Sequence, residues 1–497
     1  PSELPNLAVE IIFILVCSVG QFLFALLIGN VHVNQLVLIN SFDIPGSRTP
    51  WLVGSFLVAN GVSVSICGSL MDLVPPRRFV LASFVRLTIW KLIGALTVST
   101  ASRWPMFLTV RVMQGLALGA LLSGSISILG RLYKPGLRKT RAFALMACFP
   151  PLGFPVGLLQ GGALTKHQGR VFGSTAILTG ICTVAAFFTI PALRPTRMDD
   201  SREISIRDFD VPGAAVLIIA NVMILFGVTQ GSTNQWAPYT YSVAIVGCMF
   251  LCAFYFLERY TSRPLVPPQL WNSKGFTSLI ISFALSFGSW LGAWQPFAVQ
   301  YFLFIRHTSP FQTALYWIPN AIAGIVAVYV IQYTIHRFAS QWIFSVGMLA
   351  CAISPAFFLP LTPKTNYWAL AMPGIGLGTF GPDLSFVTAS IFITSSVPKS
   401  YQGAAGSLLI TIENLSGAVF VAVAGAIGTA VNDAQGAHGD DGKGAGWGQG
   451  PGTNLKGLKA CWWLGLSTSI FAAILTAATV RVRKAEEGDH VAEFREG

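Results

Sequence analysis

Charge is what this chain of 497 residues has least of: Asp, Glu, Lys and Arg together make up 10% of it, against about 25% in soluble domains. So few charges cannot solvate a globular surface, and a soluble fold is excluded. Histidine is scarce, at 6 residues, and the eight cysteines lie in or beside apolar runs without metal-ligand spacing. No metal site is expected, and Cys17, Cys67, Cys248 and Cys351 read as small packing residues. Nucleotide loops are missing as well: Gly442-Lys443-Gly444 lacks the following Ser or Thr and follows no strand. With no nucleophile motif and no cofactor fingerprint, an enzyme is not expected. No cleavable signal pattern is visible, and the triplet Asn414-Leu-Ser416 falls inside an apolar run, where it is no glycosylation acceptor.

What fills the chain is apolar sequence, 53% by composition. Runs of about 20 residues recur, each long enough to cross a hydrocarbon core about 30 Å thick as a helix. They predict an all-α integral membrane protein with about fourteen spans, near residues 11–31, 51–71, 79–99, 104–130, 140–164, 170–191, 211–230, 240–257, 275–303, 311–335, 341–360, 366–395, 401–430 and 458–480. The stretch Arg194 to Asp210 mixes four arginines with five acids, and a second polar stretch runs from Glu258 to Pro268. These breaks predict a 6+2+6 plan: a first six-helix bundle (1–192), a linker with two additional spans (193–273), a second bundle (274–484) and a tail (485–497). The Gly-rich segment from Asn432 to Asn454 reads as an external loop.

A net charge of +12 would suggest nucleic acid in a soluble protein. Here the distribution points to topology instead: about 20 of the 32 Lys and Arg fall on one side if the spans alternate, about 9 on the other and 3 inside spans. The rich side is expected to be cytosolic and to hold both termini. Its densest cluster, Arg131, Lys134, Arg138, Lys139 and Arg141, also suits anionic lipid.

Three motifs carry a family resemblance. Gly68-Ser-Leu-Met-Asp72-Leu-Val-Pro-Pro-Arg77-Arg78 is a short acidic-basic elbow between two spans; Arg111-Val-Met-Gln114-Gly115 lies within the fourth; Gly153-Phe-Pro-Val-Gly157-Leu158-Leu-Gln-Gly161-Gly162 lies in the fifth. They resemble the loop motif, the fourth-helix motif and the fifth-helix antiporter motif of the major facilitator superfamily. The fourteen-span layout, with Asp210-Val-Pro-Gly213 before span seven and Arg263-Pro-Leu-Val-Pro-Pro before span nine, is similar to fungal drug:proton antiporters. Gly130-Arg-Leu-Tyr-Lys-Pro-Gly-Leu-Arg-Lys139 and Gly381-Pro-Asp383-Leu-Ser-Phe386 look most like the aminotriazole-resistance, boron-efflux and low-affinity ammonium branch. Leu73, Pro75, Pro76 and Leu158 depart from the family pattern. The resemblance implies proton-coupled export of a small toxic or polar solute by alternating access, with Gly68, Asp72, Arg77, Arg78, Gly153, Gly157, Gly161 and Gly162 as gating or conformational residues. Uncoupled or inward movement of a solute such as ammonium or boric acid is the alternative within transport. A sensor or a lipid-handling carrier is the alternative outside it.

Charges inside a span need a partner, a water-filled cavity or a route to the headgroups, since each costs about 2.5–3.5 kcal/mol at mid-bilayer on insertion scales. Arg111, about 10 Å into its helix, together with Gln114, suits substrate attraction or bonding to buried carbonyls. Asp383 suits reversible proton binding or a structural pair, and Glu413 a proton site or an interhelical hydrogen bond. His32 is a candidate relay near the outer end of span one. Trp290, Trp294 and Gln295, beside Asn320, form an expected aromatic and amide wall for a flat polar molecule or organic cation. Lys91 is assigned no role. The partners expected are a small-molecule substrate, protons and membrane lipid, without nucleic acid or cofactor; the chain is expected to be a monomer in the plasma membrane, with the vacuolar membrane as the alternative.

Overall fold

The computed structural model describes residues 6–42, 50–71, 74–100, 104–133, 137–191, 209–233, 236–261, 275–334, 337–338, 340–395, 402–434 and 454–479. Asp72, Leu73 and nearly all of the inter-bundle linker, the Gly-rich segment and the C-terminal tail lie outside them. Among the described residues the regular structure is helical throughout. Helices α1 (Leu7–Phe42), α2 (Pro50–Leu70), α3 (Pro76–Thr100), α4 (Trp104–Leu132), α5 (Leu137–Ala163) and α6 (Gln168–Thr189) precede α7 (Val211–Thr233) and α8 (Pro238–Tyr260). Then come α9 (Phe276–Ile305) and α10 (Pro310–Thr334), followed by α11 (Ser340–Phe358), α12 (a π-helical turn Tyr367–Ala371 continued by Met372–Ser395), α13 (Gln402–Asp433) and α14 (Leu455–Thr479). Thirteen described helices are long and apolar enough to span a membrane; α12, with its glycines, Pro382 and Asp383, completes the fourteen.

Local chemistry sets the helix starts. Asp210 Oδ1 accepts the Gly213 N–H at 2.9 Å, so the Asp-Val-Pro-Gly stretch is an N-cap with proline in the first turn, where its missing N–H does no harm. Ser309 Oγ accepts the Gln312 N–H ahead of α10 at 3.1 Å, and Asn366 Oδ1 accepts the Trp368 N–H ahead of α12 at 3.2 Å. The main departure from the sequence expectation is α1, which runs on to Phe42 rather than stopping near residue 31. Asn30, His32, Asn34 and Gln35 mimic a wetted helix end in sequence, yet all four are buried against protein. His32 is therefore ten residues inside its helix rather than near the outer end.

Helices α1–α6 pack chiefly on one another, as do α9–α14, while α7 pairs with α8 and leans on α2 and α13. Glycines set the closest crossings. A Cβ at Gly153 or Gly157 would run into the Phe22 or Leu26 carbonyl of α1, and one at Gly115 would sit 2.5 Å from the Phe56 carbonyl of α2. Such small-residue faces let backbones approach where lipid offers no hydrophobic drive for association. The two groups meet along a seam where α5 packs on α10 and α2 packs on α13.

Candidate functional site

The seam is held by polar groups that proline chemistry makes available. Helix α5 carries Pro150, Pro151 and Pro155 in its interior. Proline has no N–H, so Pro155 leaves the Pro151 carbonyl without its helical donor. Asn320 of α10 supplies that donor from the other helix group, its Nδ2 lying 2.9 Å from the Pro151 oxygen. Thr379 Oγ1 of α12 donates to Asn320 Oδ1 at 2.8 Å, which orients the amide. Across the other half of the seam, the hydroxyls of Ser65 (α2) and Thr411 (α13) are 2.6 Å apart, and Thr411 also donates to the Gly61 carbonyl at 3.2 Å.

Asp383 stands next to this lock. It is 8% exposed, and its Oδ2 lies 3.7 Å from the position a Cβ would take on Gly324, the α10 glycine packed on Pro151. That oxygen has no hydrogen-bond partner. Cys148 of α5 and Cys351 of α11 are within electrostatic reach of the carboxylate, and so is Glu413 of α13. The structure thus brings Asp383 and Asn320 together at the place where the two groups meet, with Glu413 in electrostatic reach. Helix α12 stays helical from Met372 to Ser395 around Pro382, which leaves the Gly378 carbonyl without its helical donor, and Gly374, Gly378 and Gly381 seat it on Phe357, Ser354 and Cys351 of α11.

Trp294 is fully buried, packed between Trp317 at 5.3 Å and Phe358 at 5.4 Å, with Trp290 at 5.9 Å. Phe154 of α5 meets Trp317 at 4.9 Å and the His32 ring at 6.0 Å. One aromatic chain therefore crosses the seam from α1 to α9. The indole N–H groups of Trp290, Trp294 and Trp317 are buried without a hydrogen-bond partner, as is Gln295 Oε1. The α9 turn that carries the Trp pair, Gly288–Trp294, is π-helical; Pro296 just beyond it cannot continue the regular ladder, and such widened turns concentrate at functional sites. Trp317, Phe154, Pro151 and Thr379 were not singled out from sequence, although the Pro151-x-x-x-Pro155 spacing announces an orphan carbonyl.

Arg111 and Gln114 go elsewhere. Arg111 Nε donates to the Leu52 carbonyl of α2 at 3.1 Å, and Gln114 Nε2 to the Trp90 carbonyl of α3 at 3.4 Å, so both point into the first helix group. Of the elbow residues, Gly68 is buried in α2 and Arg78 is exposed. Arg77 Nη2 donates to the Phe187 carbonyl at 2.9 Å, satisfying an orphan acceptor at the C-terminus of α6. Gly161 lies against Asn30, Val33 and Asn34 of α1, whereas Gly162 abuts Pro310 and Phe311 of α10 at about the same level.

Comparison with known proteins agrees with this frame. The chain is 26% identical over 444 residues to the low affinity ammonium transporter of Saccharomyces cerevisiae, covering 88% of this chain and 82% of that protein. It is 26% identical over 480 residues to efflux pump terJ of Aspergillus terreus, covering 95% and 88%, and 25% identical over 421 residues to the aminotriazole resistance protein of Saccharomyces cerevisiae, covering 82% and 75%. The structure is similar to that of the proton:xylose symporter XylE, with a TM-score of 0.59 at 15% identity over 98% of this chain and 99% of the other. It also matches the POT family transporter PepTSo, with a TM-score of 0.60 at 14% identity over 93% and 97%. Identities this low establish a shared fold and no more. Residues 17–421 match the family model described as Major Facilitator Superfamily, and the chain, a multi-pass membrane transporter, belongs to that superfamily.

Proposed function

We propose that the chain exports a small toxic or polar solute in exchange for protons, by alternating access of the seam between α1–α6 and α9–α14. The observation that carries this reading is Asp383: a buried carboxylate with an unpartnered oxygen, beside the Asn320–Pro151 bond between the two groups and within reach of Glu413. A carboxylate so placed gains a proton when facing one bath and loses it when hydrated from the other, which is the minimum a coupled carrier needs. One charge crossing 100 mV supplies about 2.3 kcal/mol, enough for a roughly 50-fold solute gradient. The efflux pump and the aminotriazole resistance protein among the relatives support export of a small organic solute. The half-buried Trp290, flanked by Trp294 and Gln295, offers a wall for it. Protons and the solute are then the partners, and a monomer in the plasma membrane with cytosolic termini is the arrangement proposed.

In proteoliposomes, addition of aminotriazole should release protons from the acidic side, and Asp383→Asn should abolish this exchange while solute binding persists. Unchanged proton movement in that variant would exclude Asp383 as the coupling group. A second reading rests on Leu158, which stands where the antiporter motif has proline, and on the ammonium-transporting relative. On that reading methylammonium or boric acid flux would follow its own gradient and ignore a protonophore.

A further inference from the structure

Three indole N–H groups lie together on the α9–α10 side of the seam. Trp294 of α9 and Trp317 of α10 are both fully buried, with ring centres 5.3 Å apart, and the ring of Trp290, one turn back on α9, is 5.9 Å from that of Trp294. None of the three N–H groups has a hydrogen-bond partner. Buried phenols of the surrounding aromatic cluster do find theirs: the Tyr301 hydroxyl donates to the Thr362 carbonyl at 2.8 Å, and the Tyr367 hydroxyl to the Tyr316 carbonyl at 2.7 Å. A buried donor left unmet is costly, and a tryptophan in a settled core ordinarily finds an acceptor. Three contiguous exceptions mark a place where the acceptor comes from outside the fold.

Access comes with the motion. Trp290 is half-buried, and Trp317 meets Phe154 of α5 across the seam at 4.9 Å, so the parting of the two groups that transport requires also uncovers Trp317. The polarity of the face is one-sided. An indole N–H only donates, and Gln295, 2% exposed and next to Trp294 in the chain, adds one unpartnered acceptor, its Oε1. Three donors and one acceptor complement a solute with several acceptors and a donor, and the indole faces suit a flat one. Cation–π attraction by itself would favour a flat cation, but the N–H edges present the positive end of the indole and gain nothing from a solute that cannot accept.

We propose that Trp290, Trp294, Trp317 and Gln295 form the recognition face of the solute site, and that it takes neutral, planar nitrogen heterocycles with two or more ring acceptors and one N–H, in preference to organic cations. This rests on the transport reading above and narrows its solute. The ring nitrogens accept from the indoles, the solute N–H donates to Gln295 Oε1, and each bond gained satisfies a group that the folded chain leaves unpaired.

Equilibrium dialysis of radiolabelled triazole against the purified protein in detergent, with no ion gradient, tests this by competition. Pyrrole has the same ring size and N–H but no acceptor nitrogen, and dimethylimidazolium is a flat cation without an N–H. Unlabelled triazole should displace the label about ten-fold more effectively than either, as for the loss of a hydrogen bond or two. Trp294→Phe and Trp317→Phe keep an aromatic ring and remove a donor; each should weaken triazole binding about ten-fold and narrow its lead over pyrrole. If neither variant folds, the wild-type ranking decides. No retained triazole, displacement by pyrrole equal to that by triazole, a preference for dimethylimidazolium, or undiminished triazole affinity in both variants would each overturn the proposal. Because binding is read without a gradient, failure of proton exchange in proteoliposomes with this ranking intact would sink the export reading alone.

Discussion

A single missing N–H governs the chemistry of the seam. Because Pro155 cannot donate, the Pro151 carbonyl is free to accept from Asn320, and a bond that most helices keep internal becomes a bond between two moving groups. Truncating Asn320 to alanine leaves that carbonyl buried and unpaired, which costs about 1–3 kcal/mol. Asn320→Ala should therefore lower the unfolding temperature, and it should speed exchange between conformers where the bond holds one of them. Thr379→Val should do less, since the Asn320 amide still donates to the Pro151 carbonyl in that variant. Equal effects of the two would argue against Asn320 as the seam's lock. The proline spacing is legible in sequence; the identity of the donor is not, because Asn320 lies 169 positions away.

At the scale of the helix, glycine does two different jobs in one motif. Gly153 and Gly157 face α1 within their own group, where a side chain would collide with backbone and destabilise the fold. Gly162 instead faces the other group: a Cβ there would sit 2.9 Å from the Phe311 and Pro310 backbones of α10. Gly162→Val should therefore part α5 from α10 at that end without unfolding α5. The buried Thr313 one turn further on, replaced by cysteine, should then react with a membrane-impermeant maleimide several-fold faster, as read by mass spectrometry of the labelled peptide. No change in labelling would show that the contact does not close the pathway. The spacing of the motif marks a packed face in the sequence, but which glycine faces which neighbour depends on how the two groups dock.

At the scale of the molecule, rocking of one group on the other requires the seam to break and reform. Ser65 and Thr411 meet across it with oxygens 2.6 Å apart, near enough for cysteines in their places to be oxidised to a disulfide after small adjustments. The double variant Ser65→Cys/Thr411→Cys should lose transport on oxidation and regain it with reductant. Transport that continues through a complete cross-link would mean that α2 and α13 stay together throughout the cycle. The extra pair α7 and α8 leans on these two helices, so it sits where such motion would be felt.

By itself the sequence determined that this is a helical membrane protein with fourteen spans, because scarce charge and apolar runs of fixed length leave the bilayer as the only compatible solvent. It also pointed to Asp383, Glu413, Arg111 and Lys91, since a charge in an apolar run is conspicuous. Only the tertiary structure decided how they group. Asp383 and Asn320 come from two helices of the second group and stand at its border with α5, with Glu413 of a third in electrostatic reach, whereas Arg111 and Lys91 are buried within the first, against Phe56 and Phe172. Helical periodicity fixes the face a residue takes on its own helix, and the neighbour it meets is set by packing between helices far apart in the chain.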